Sequence, residues 1–61
     1  MIHKYRISVV YPNSVSETVY SGIDYDTALT VYAVNVKRQK SENFIELYKD
    51  NKFHRSTIGR S

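Results

Sequence analysis

Apolar and polar residues alternate along the first stretch of the chain. His3, Tyr5, Ile7, Val9 and Tyr11 fall on one face, and Lys4, Arg6 and Ser8 on the other. Ile2 and Val10 are apolar exceptions on the polar side. A period of two, carried by β-branched and aromatic residues, predicts a strand over residues 2–11. Pro12-Asn13-Ser14 interrupts it, because Pro has no amide to donate to a ladder and Asn and Ser favour turns. Alternation resumes over residues 15–20, with Val15, Glu17 and Val19 opposed to Ser16, Thr18 and Tyr20. Two such runs around a short turn make a hairpin.

The period then changes. Tyr25, Ala28, Leu29, Tyr32 and Val36 recur at three and four residues, the spacing of one helical face. Asp24 precedes them as an N-cap whose carboxylate can accept from amides of the first turn. Asp26 near the start and Lys37, Arg38 and Lys40 near the end complement the helix dipole. The predicted helix runs from Tyr25 to about Lys40. Ser41-Glu42-Asn43 closes it, and Phe44 to Tyr48 reads as a third strand.

Lys49-Asp50-Asn51-Lys52 is a tight turn, since Asp and Asn tolerate the left-handed backbone of a type I′ hairpin. Phe53 to Ile58 is the fourth strand. A two-residue turn sets Tyr48 opposite Phe53, His54 opposite Leu47, and Glu46 opposite Arg55 as a cross-strand ion pair. Gly59-Arg60-Ser61 is expected to fray. The order is ββαββ, an α+β chain of two antiparallel hairpins packed with one central helix. Residues 1–61 form a single domain. The pattern leaves open whether the hairpins join into one sheet or lie on two sides of the helix.

Length sharpens this picture. A chain of 61 residues buries only about 60% of the surface its unfolded form exposes. Domains of this size are commonly stapled by a disulfide, a metal or a second subunit. There is no Cys, which suits a reducing compartment, and His3 and His54 stand far apart in sequence. The expectation is therefore no metal, no cofactor, and a monomer or weak dimer. The opening residues carry charge before any apolar run, so they do not read as a secretion signal, and no run approaches a membrane span. A cytoplasmic location is expected.

Catalytic chemistry finds little support. There is no Gly-x-Ser-x-Gly elbow and no Cys nucleophile, and two glycines do not make a phosphate-cradling loop. The chain is not expected to be an enzyme. A net charge of +3 disfavours an acidic mimic of DNA and permits nucleic-acid binding without demanding it. Lys37, Arg38, Lys40, Lys49 and Lys52 would carry such binding, with some of the six tyrosines stacking on bases. The plainer role of the tyrosines is to fill a thin core while their hydroxyls reach water.

The feature with most functional content is the helix face opposite the Tyr25–Val36 stripe. Thr27, Thr30, Val31, Val34 and Arg38 lie there, with Lys37. Val31 and Val34 are apolar where solvent is expected, and both are β-branched, which lowers helix propensity. An apolar pair ringed by Thr and basic residues suits a docked partner. It equally suits a hairpin folded over it, because a helix apolar nearly all round is a buried one.

The helix reads Ala28-Leu29-Thr30-Val31-Tyr32-Ala33, followed by Phe44-Ile45, the charged turn Lys49-Asp50-Asn51-Lys52 and a polar last strand. This resembles the Dmd (discriminator of mRNA degradation) antitoxins of T4-type phages. The likeness rests on Ala-x-Thr-x-Tyr-Ala and covers the helix and C-terminal hairpin; the N-terminal hairpin matches only in type. The family carries a Trp in the first helical turn at the column of Thr27, and this chain has no Trp. That contact is not carried over, although its column falls on the outer face. The resemblance implies a phage protein that binds a host endoribonuclease toxin of the RNase LS type inside the bacterial cell and silences it by steric occlusion. A small nucleic-acid-binding domain and a small structural or assembly protein are the alternatives.

Overall fold

A computed structural model describes residues 2–61. Strand β1 spans Tyr5–Val10, β2 Ser16–Gly22, helix α1 Tyr25–Arg38, β3 Phe44–Lys49 and β4 Lys52–Ile58. The order is the expected ββαββ. The open question of the hairpins is answered by a single four-stranded antiparallel sheet, β2-β1-β3-β4. β1 and β3, from different hairpins, pair at the centre, and both hairpins therefore lie on the same side of the helix.

The alternation of β1 becomes burial. Tyr5, Ile7 and Val9 point toward α1, paired with Lys49, Leu47 and Ile45 of β3. Ile7, Val9, Ile45 and Leu47 are fully buried. Each such side chain contributes about 1.5–3 kcal/mol of transfer free energy. Ala28, Tyr32 and Val36 close the core from the helix, with Tyr11, Tyr20, Leu29 and Val31 packed around it. Tyr25 lies at the margin, 39% exposed, with its ring centroid 4.9 Å from that of Tyr5.

The first hairpin turns through Tyr11–Val15. The Tyr11 amide donates to Val15 O at 2.8 Å, and Asn13 Oδ1 accepts from the Val15 amide. The second turns through Asp50 (φ 53°) and Asn51 (φ 64°), both left-handed as type I′ requires. Asp24 caps α1, accepting from the Asp26 and Thr27 amides at 3.0 and 3.3 Å. The bond from the Thr27 hydroxyl first, and those from the Thr27 and Asp26 amides after it, hold its carboxyl below the usual range. The helix ends at Arg38, two residues before Lys40, where Gln39 turns to extended backbone.

Three expectations are corrected. In β2, Val19 is an extra, bulged residue: Ile7 pairs with Tyr20, while Ser8 pairs with Thr18. Tyr20 therefore shares the core face with Glu17, and its hydroxyl donates to Asp24 O at 3.4 Å. In β4, Tyr48 does face Phe53, but His54 is bulged. Leu47 pairs with Arg55 and Glu46 with Ser56, so the expected Glu46–Arg55 pair does not form and His54 is exposed. The one-residue shift carries Thr57 to the helix side, where its Oγ1 lies 2.5 Å from the Tyr32 hydroxyl. Finally, Gly59-Arg60-Ser61 does not stand apart as a frayed end. The three amides donate to Asn43, Val36 and Gln39 carbonyls at 2.8–2.9 Å, and Gly59 is buried.

Candidate functional site

Because every strand lies on one side of α1, no strand covers its outer face. Thr27, Thr30, Val34, Lys37 and Arg38 are all exposed there, Val34 to 40%. The Thr27 hydroxyl donates to Asp24 Oδ2 and the Thr30 hydroxyl to Asp26 O, both at 3.0 Å. Their donors are thus engaged within the helix, and what they add to the surface is mainly methyl carbon. The row Thr27–Thr30–Val34 is less polar than its sequence suggests, and cationic side chains border its C-terminal end.

Val31 departs from this group. It is half-buried and packs against the core. It lies about 100° around the helix from Tyr32, on the flank where Asn35 Nδ2 donates to Val31 O at 2.9 Å. Its apolar character is explained by burial, so four of the five expected contact residues remain together on the surface.

The basic residues separate into two groups. Lys37, Arg38 and Lys40 lie at the C-terminal end of α1, whereas Lys49 and Lys52 flank the β3–β4 turn. β3 runs between the two ends, about 20 Å for its six residues. Near the first group, α1 leaves β4 uncovered, and Tyr32, Ala33, Val36, Lys37, Thr57 and Arg60 line a hollow of about 260 Å³. Near the second, His3, Lys49, Asp50, Lys52, Phe53 and His54 line one of about 380 Å³.

The second hollow brings together the two histidines that sequence separates. His3 Nδ1 lies 2.7 Å from Asp50 Oδ2, and Asp50 Oδ1 accepts from the Lys4 amide at 3.0 Å. The Lys4 bond first, and His3 second, hold the Asp50 carboxyl below its usual range. Asp50 thereby pins the N-terminal segment to the hairpin turn. Among the described residues, no three His, Cys, Asp or Glu side chains stand close enough to hold a metal ion.

A second surface escaped sequence reasoning. Among the described residues, no element covers the sheet face away from α1. At one end Val10, Phe44 and Ile58 form an apolar row across β1, β3 and β4. Phe44 and Ile58 are 48% and 50% exposed. At the other end Arg6, Tyr48 and Phe53 form a second row. The Arg6 guanidinium carbon lies 4.4 Å from the Tyr48 ring centroid, and the Tyr48 and Phe53 rings meet edge to face at 6.1 Å. Between them runs a polar row of Ser8, Glu46 and Ser56. The Tyr48 hydroxyl donates to Glu46 Oε1 at 2.8 Å, which pushes the phenol above its usual range. The sequence signal for this face was Val10, apolar where strict alternation calls for a polar residue.

The chain matches no family model, no curated protein and no solved structure.

Proposed function

We propose that this chain is an antitoxin-like inhibitor that binds an endoribonuclease of the RNase LS type through the outer face of α1 and silences it by occlusion. The observation that carries the reading is the uncovered row Thr27–Thr30–Val34, with Arg38 beside it, on a helix that buries Ala28, Tyr32 and Val36 on its other face against the sheet. The residues of the antitoxin resemblance divide accordingly. Ala28 and Tyr32 are core, whereas Thr30 and Ala33 are exposed and available to a partner. An inhibitor of this kind needs no chemistry of its own. A rigid helix presenting methyl groups with a cationic border fills an apolar recess and pairs with acidic residues at its rim.

The test is to mix the purified chain with a ribonuclease of this type and follow both complex formation and RNA cleavage. Tight binding with loss of cleavage is expected. Val34→Glu places a charge at the centre of the face without touching the core. It is expected to weaken inhibition at least tenfold, about 1.4 kcal/mol, with unchanged circular dichroism. Inhibition that survives Val34→Glu and Thr30→Glu together overturns the choice of face, and failure to bind any such ribonuclease overturns the function. The nucleic-acid alternative has its basic residues in two groups, Lys37, Arg38 and Lys40 at the helix terminus and Lys49 and Lys52 about the β3–β4 turn. It requires RNA affinity that falls steeply with salt.

A further inference from the structure

We infer that two copies of this chain pair sheet on sheet through the face that carries Val10, Phe44, Ile58, Arg6, Tyr48 and Glu46. The inference is independent of the ribonuclease reading, which concerns the opposite side of the molecule.

Exposed apolar surface is the first part of the argument. Phe44 and Ile58 are each about half exposed and Phe53 60% exposed, all on one face of a chain too small to cover it. Two exposed apolar rows of this kind, divided by one polar row, mark an interaction face. Its extent follows from strand geometry. Four strands about 4.8 Å apart, each about 20 Å long, give roughly 400 Å² of projected area per copy. Two such faces bury about 800 Å², the size of a weak, transient interface.

Charge selects the occupant. Within the strands this face carries one cation, Arg6, and one anion, Glu46, so it is neutral overall. The helix face, by contrast, separates its charges, with Asp24 and Asp26 at its N-terminal end and Lys37 and Arg38 at its C-terminal end. A twofold axis parallel to the strands, midway between β1 and β3, makes the sheet face self-complementary. β1 of one copy then lies over β3 of the other. Val10 meets Phe44, the two apolar rows stack, and Glu46 lies over Ser8 of the second copy, one step along the strand from its Arg6. The sheets pack about 10 Å apart, a gap that the long Arg and Glu side chains span. Both helices remain outward.

Sedimentation across concentration tests this on the chain alone. A weak monomer–dimer equilibrium is expected, with dissociation on the order of 10 µM, about −7 kcal/mol. Phe44→Thr with Ile58→Thr keeps strand propensity, and is expected to shift dissociation at least tenfold while circular dichroism is unchanged. A charge exchange gives the sharper result. Glu46→Lys alone and Arg6→Glu alone should each weaken pairing, and an equimolar mixture of the two should regain it, because each altered side chain then meets its opposite. If a variant fails to fold, concentration-dependent NMR shifts of the Phe44, Tyr48 and Phe53 rings in the unaltered chain give the same answer. A monomer at about 1 mM, a mixture no stronger than its components, or dimerisation lost in Val34→Glu but kept in the sheet variant overturns the inference.

Discussion

Replacing Gly59 by Ala tests the last turn of the chain. A Cβ built on Gly59 lies 2.2 Å from the Lys40 carbonyl oxygen and 2.3 Å from that of Gln39. Both obstacles are backbone, so no rotamer change relieves them. The segment has to lift off the helix terminus, and in doing so it gives up the bonds from the Gly59, Arg60 and Ser61 amides. At about 0.5–1.5 kcal/mol for each bond, the loss is about 1.5–4.5 kcal/mol. It cannot be much larger, because detachment itself removes the clash. Total stability for a chain of 61 residues is about 3–9 kcal/mol, so the variant approaches the margin. Urea unfolding followed by circular dichroism measures the change, and a chain ending at Ile58 is the companion. The two should lose similar stability, and hydrogen exchange of the Arg60 and Ser61 amides in Gly59→Ala should lose its protection. A Gly59→Ala variant within about 0.5 kcal/mol of the parent, a shift typical of innocuous surface changes, would show that the last three residues are not held against the helix terminus.

Asn51→Val forces a β-branched side chain onto a residue with φ 64°, and should cost about 1–2 kcal/mol, whereas Asn51→Gly should cost nothing; equal effects in urea titration would show that the turn geometry is wrong. Asp24 and Asp50 have folded pKa values below those of the unfolded chain. Their contribution is fully present above about pH 4 and is lost as pH falls through the lower folded values. The thermal midpoint should drop in that acid window, less so in the Asp24→Asn, Asp50→Asn double variant, and an unchanged acid limb in that variant would count against both contacts.

Local chemistry was legible wherever one stretch of chain suffices. The Asp24 cap, the Asp50-Asn51 turn and the Ala28–Tyr32–Val36 stripe each depend on residues within a few positions of one another. Which residues share the outer helix face was legible for the same reason, but whether a hairpin covers it was not, and Val31 was misassigned because it lies at the border between faces, where a period cannot separate core from solvent. The joining of the hairpins was harder. It depends on β1 meeting β3 across the whole helix, and its traces were apolar residues on the polar sides of both strands, Val10 and Phe44. Gly59 left no periodic trace, since its role comes from what a Cβ would strike and not from any side chain it possesses.

The two bulges explain the rest, and they act alike. Each sits in an edge strand, where an unpaired ladder tolerates an extra residue and is protected by the resulting irregularity. Each also moves a hydroxyl toward the helix: past Val19 it is Tyr20, which reaches Asp24, and past His54 it is Thr57, which reaches Tyr32. The His54 bulge has a second consequence on the far side of the sheet. With strict pairing from the turn, Phe53, Arg55 and Thr57 would occupy the uncovered face. With the bulge, Phe53, Ser56 and Ile58 do, and Ile58 comes to lie beside Phe44. One inserted residue therefore ties β4 to the helix through Thr57 and completes the apolar row on the opposite face. An ideal period of two predicts neither, which is why Val10 alone pointed to the sheet surface and Ile58 did not.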